Sequence, residues 1–70
     1  MHEHAGWRIG VSPFPAEGHW SAHIEVWAPG TDRRTHSGMA LPFTGRFDTI
    51  DEAERAAVDE TKQWIDRQSK

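Results

Sequence analysis

The sequence predicts an α+β domain in the order β-β-β-α: a three-stranded antiparallel β-meander followed by one C-terminal helix packed on one face. Three observations predict it. Residues 47–68 carry small and apolar side chains at helical spacing, with no Gly or Pro to interrupt them. Residues 7–12 and 19–28 alternate apolar and polar with a period of two, the mark of half-buried strands. Between these runs stand clusters of Pro, Gly, Thr and Asp that read as turns.

Residues 1–5 are expected to be a flexible tail, residues 6–68 the single domain, and residues 69–70 a frayed end. In the first strand Trp7, Ile9 and Val11 point inward, and Pro13 and Pro15 end it, leaving a loop longer than a tight hairpin needs. The second strand turns Trp20, Ala22, Ile24 and Val26 inward and His19, Ser21, His23, Glu25 and Trp27 to the other side. Pro29-Gly30 supplies a turn. The third strand is placed over residues 33–43, with Met39, Leu41 and Phe43 alternating and Gly38 marking a bulge. Pro42 cannot donate to a ladder, so this strand should be an edge there.

Thr49 followed by Glu52 is a capping-box start, with Asp48 a competing cap, and Phe47 is an apolar plug beside it. Asp51 and Glu52 place negative charge at the positive end of the helix dipole. Ile50, Ala53, Ala57, Thr61, Trp64, Ile65 and Gln68 form one stripe, opposite a face of alternating charge from Asp51 to Asp66. The helix is expected to cover Trp7, Ile9, Val11, Trp20, Ile24, Val26, Met39 and Leu41. Nothing in the chain then remains to cover the other side of the sheet.

Composition bounds the function. A chain of 70 residues makes one small domain, and a domain of this size buries only about 60% of its unfolded surface. The absence of Cys excludes disulfides and thiolate chemistry and fits a reducing compartment. With no signal-peptide pattern and no apolar run long enough for a span, a cytoplasmic protein without membrane contact is expected. The formal net charge of −3 disfavours a general phosphate-binding surface. Four Trp in so small a chain, Trp7, Trp20, Trp27 and Trp64, exceed what one thin core can enclose; one or two should lie at an edge or a contact.

No catalytic, cofactor or metal site emerges. His2 and His4 sit in the expected tail. His19 and His23, four apart on a strand, are separated by roughly 13 Å, too far to share an ion. The candidate partner surface is instead the second face of the sheet and its neighbouring turn: Arg8, His23, Glu25, Trp27, Arg33, Arg34 and His36. Trp is enriched at the centre of interfaces, and the Gly10 and Ser21 positions leave shallow space beside it. The leading reading is a non-enzymatic protein-binding module whose partner is itself, as a homodimer, or another protein. The contact is either the open sheet face or an edge, the first strand's edge before the Pro42 one. A nucleic-acid accessory role is the alternative, resting on Trp27, His23 and the Arg33-Arg34 pair. A small enzyme using His23, Glu25 or His36 is the second alternative.

The chain resembles the HicB-like proteins of bacteria and phages, which place three strands before a helix. Thr49-Ile50-Asp51-Glu52-Ala53 matches the helix start of those proteins, and Glu17-Gly18-His19-Trp20-Ser21-Ala22 the Gly-aromatic-x-Ala opening of their second strand. Their Pro-x-Leu-Pro-Gly-Cys type segment has no counterpart after Val26. The resemblance implies a small acidic partner-binding protein of antitoxin-like kind and carries no catalytic residue over.

Overall fold

The computed structural model describes residues 2–32 and 37–68. It is an α+β fold with one antiparallel sheet and a C-terminal helix. The strands are β1 (His2–His4), β2 (Trp7–Ala16), β3 (His19–Trp27) and β4 (Met39–Leu41), in the spatial order β1-β2-β3-β4, and the helix is α1 (Ile50–Gln68). The sheet thus has four strands where the sequence predicts three.

The additional strand is a correction to the expected tail at residues 2–4. His2 pairs with Ile9 and His4 with Trp7. Two residues, Ala5 (φ 51°) and Gly6 (φ 85°), make the turn. Positive φ at both central positions is the hairpin geometry that matches strand twist. Three residues are too few to show a period, and the inward positions are His rather than apolar, so the pattern gave no sign of the strand. Each His instead finds a carboxylate on α1. His2 Nε2 donates to Glu54 Oε1 at 3.3 Å, and His4 Nε2 to Asp66 Oδ1 at 2.7 Å.

The β2–β3 hairpin is also longer and tighter than predicted. β2 runs through Pro13 and Pro15 to Ala16, and Glu17 (φ 46°) and Gly18 (φ 83°) form a second two-residue turn. The prolines are tolerated for a reason of register. Trp20 exchanges both backbone hydrogen bonds with Phe47, its N–H donating at 2.7 Å and its C=O accepting at 2.9 Å, so its polar groups face away from β2. Pro15 lies directly opposite Trp20 and Pro13 two residues earlier. In an antiparallel ladder both then face the outer edge of β2, where β3 asks for no donor. That edge is covered by β1 only as far as Ile9.

The turn after β3 is as predicted: Thr31 N–H donates to the Ala28 carbonyl at 3.1 Å, with Gly30 at φ 83°. Among the described residues the third strand is β4, ending at Leu41 immediately before Pro42; residues 33–36 of the predicted strand lie outside the described residues. Extending the pairing of Leu41 with Ile24 would set Gly45 opposite Trp20. Phe47 stands there instead, so residues 42–46 bow out with two extra residues before rejoining β3. Phe43 and Phe47 stack across the base of this bow, 5.9 Å apart.

The helix begins as its cap dictates. Glu52 N–H donates to Thr49 Oγ1 at 3.2 Å, and Ala53 N–H to the Thr49 carbonyl at 3.2 Å. Its buried residues are Ala53, Ala57, Val58, Thr61 and Ile65. Val58 joins the predicted stripe, while Ile50 and Gln68, expected on it, are exposed at the two ends. Ala53 and Ala57 let the backbone approach the sheet. Trp64 fills the wider end and meets Trp7 edge to face at 5.4 Å. Thr61 turns its buried hydroxyl back to the Ala57 carbonyl at 2.7 Å. The core is Ile9, Ala22, Ile24 and Val26 from the sheet with Ala57 and Ile65 from the helix. Met39, expected beneath the helix, is exposed at the start of β4, while Leu41 at its other end packs against the core.

Candidate functional site

The register divides the sheet into two faces. Residues of β2 and β3 that pair across the ladder share a side. Ile9 with Val26 and Val11 with Ile24 face the helix. Arg8 with Trp27, Gly10 with Glu25, Ser12 with His23 and Phe14 with Ser21 therefore share the opposite face. Ala40 of β4, paired with Glu25, extends it. Among the described residues no helix or strand packs over this side, and Arg8, Ser12, His23, Glu25 and Ala40 are exposed.

Four of the predicted surface residues, Arg8, His23, Glu25 and Trp27, are thus brought together on one face. Arg33, Arg34 and His36 lie outside the described residues, as does the frayed end expected at residues 69–70.

Trp27 stands at one end of this face, and its setting differs from the shallow space expected beside it. A side chain added at Gly10 would meet the indole Cζ3 at 3.3 Å, and one at Gly38 would meet Cε2 at 2.8 Å and Glu25 Cγ at 2.3 Å. The indole therefore lies between two glycines and is half-buried in the space their missing side chains leave. A large ring lies low here because both neighbours are Gly.

A second aromatic element was not foreseen. Phe14, expected in a turn, stacks on His23 with ring centroids 4.4 Å apart and planes 21° from parallel. Ser21, directly opposite Phe14 and two residues from His23, is buried. Alternation between Phe14 and Ser12 would have revealed this, had Pro13 and Pro15 not read as strand breakers. The face is thus an aromatic strip, Phe14–His23 at one end and Trp27 at the other, with Gly10, Ser12 and Glu25 between. Its ions are few. Arg8 Nε lies 3.6 Å from Glu3 Oε1 on β1, which leaves Glu25 as the formal charge at its centre. A shallow open concavity of about 540 Å³ follows this strip and turns round the edge of β2 to His2 and Glu54.

The arrangement offers planar contact rather than a cleft. His23 and Glu25 are two residues apart on one strand and both are exposed, and the His23 ring is engaged by Phe14. Among the described residues no three His, Asp or Glu side chains stand close enough to share a metal ion. No described helix is long and apolar enough to cross a membrane.

Comparison with curated proteins gave no match, and comparison with solved structures gave none. A family match covers residues 1–70 and carries the description domain of unknown function, DUF6566. The chain belongs to the DUF6566 family along its whole length.

Proposed function

We propose that this chain is a non-enzymatic protein-binding module that works through the second face of its sheet. The observation that carries the reading is Trp27 lying between Gly10 and Gly38, in line with the Phe14–His23 stack. Aromatic rings fixed by their neighbours, Trp27 and Phe14 half-buried and His23 stacked on Phe14, present large rigid surface at little entropic cost, the property of interface centres. The charge distribution supports the same face. The outer side of α1 carries five charged residues, Asp51, Arg55, Asp59, Lys62 and Asp66, a pattern that favours water, whereas the face around Trp27 carries Glu3, Arg8 and Glu25, the first two of them 3.6 Å apart.

The edges are poorer candidates than the face. Both outer strands, β1 and β4, have three residues, and short edges offer little ladder to a partner. The first predicted strand, whose edge was the favoured one, is β2. It is covered as far as Ile9, and beyond Val11 the residues facing this edge, Pro13 and Pro15, have no N–H to donate. The HicB-like resemblance at Thr49–Ala53 extends the reading to an antitoxin-like role, in which the bound protein would be a toxin.

A photoreactive side chain at position 27, compared with one at position 55 on the outer side of α1, tests the reading in the native cell. Protein adducts from position 27 and few from position 55 are expected. Adducts from position 55 with none from position 27 would overturn it.

A further inference from the structure

We infer that the partner seated on the Trp27 face is a second copy of this chain, packed sheet to sheet across a two-fold axis; the inference rests on the reading of that face as the contact surface. Shape is the first argument. The molecule measures 38 × 27 × 17 Å, and its thin dimension is what one sheet and one helix give. Its radius of gyration is 12.4 Å, against about 11 Å for a compact domain of this length. Its accessible surface is 4918 Å², against about 4,450 Å² for a folded monomer of its mass. The chain is flatter and more exposed than a self-sufficient domain.

Area is the second argument. The ellipse on the two long axes, about 800 Å², bounds this side from above, and a contact over most of it would approach one side of a standard interface. A second copy would turn a two-layer slab into a four-layer helix–sheet–sheet–helix sandwich, with the two sheets about 10 Å apart. The low-lying indole favours this approach, because a Trp standing off the sheet would hold a second sheet away.

Charge is the third. A two-fold interface must be complementary to itself. Among the described residues this face carries both signs, Glu3 and Glu25 against Arg8, and a two-fold axis passing between Arg8 and Glu25 would set each against its opposite on the second copy. His23 and Ser12 add donors that a carboxylate can use. A partner of strong single-sign charge, a polyanion above all, would meet Glu25 and Glu3 unfavourably.

Sedimentation equilibrium across a concentration series tests the inference. The wild-type chain and Arg55→Ser, altered on the outer side of α1, should pass from monomer to dimer together. Ser12→Arg and Ala40→Lys place an exposed charge on the sheet face without touching the core. Each should raise the dissociation constant about tenfold or more, with far-UV circular dichroism unchanged. A wild-type chain that stays monomeric at every concentration overturns the second-copy assignment, as does a dimer that both variants leave intact. Adducts from position 27 to a different protein, in the crosslinking experiment above, would show that the binding-module reading survives that result.

Discussion

At the scale of single residues, glycine decides what Trp27 can do. Gly38 carries no positive φ that would demand it, so its role is spatial: a Cβ there would stand 2.3 Å from Glu25 Cγ and 2.8 Å from Trp27 Cε2. Glu25 is long and exposed and can swing aside; the indole, held also over Gly10, cannot do so without lifting off the sheet. Gly38→Val should therefore cost about 1–3 kcal/mol and shift Trp27 emission to the red, measured by urea titration with fluorescence detection. Thr61 offers the opposite case. Its hydroxyl is buried but only doubles back on its own helix, so Thr61→Val should change stability by less than about 1 kcal/mol. Ile65→Ala, fully buried at the same seam, should cost about 2–5 kcal/mol. Sequence pattern made Ile65 a core residue and Trp27 an outlier on the polar side. It did not show that two glycines make room for the indole, because Gly10 and Gly38 are 28 positions apart in the chain and meet only through the register.

At the scale of elements, the helix was the most legible part. Capping residue, dipole charges and stripe all point one way, and the Thr49 hydroxyl accepts the bond its spacing predicts. Thr49→Ala should cost about 1 kcal/mol in thermal or urea unfolding. The hairpins were less legible. Ala5-Gly6 and Glu17-Gly18 are the same turn, each with a non-Gly residue at positive φ in its first position. The chain is expected to turn at Ala16-Glu17-Gly18, and it does; Ala5-Gly6, with no conventional Asn to signal it, was hidden. Glu17→Asn should stabilise the fold by roughly 0.5–1 kcal/mol, since Asn adopts this conformation more readily; a rise in the urea midpoint with an unchanged slope would verify it. β1 was hidden for a different reason. Its inward side chains are His2 and His4, joined to Glu54 and Asp66 rather than packed in the core. Such exposed pairs contribute little to global stability. His4→Ala should accordingly speed amide exchange within β1 while leaving the urea midpoint nearly unchanged.

At the scale of the whole molecule, the fold and the contact face are two consequences of one shortage. One helix can cover one side of a sheet, and the described residues form one helix. The sequence shows that shortage without a structure: apolar positions at period two on both strands, a single amphipathic run, and a Trp left on the uncovered side. What it could not show was how the aromatic rings on that side would be arranged. The Phe14–His23 stack follows from β2 keeping its register through two prolines that look like breakers, and the low position of Trp27 from the missing side chains at Gly10 and Gly38. The central claim is that this face is the working surface of the chain and closes on a second copy. Backbone amide shifts followed by NMR on dilution test it most directly. The account predicts concentration-dependent shifts clustered at Arg8, Gly10, Ser12, His23, Glu25 and Trp27, with Arg55, Asp59 and Lys62 constant. Shifts confined to the outer side of α1 or to the β1 and β4 edges, or none at any concentration, would contradict it.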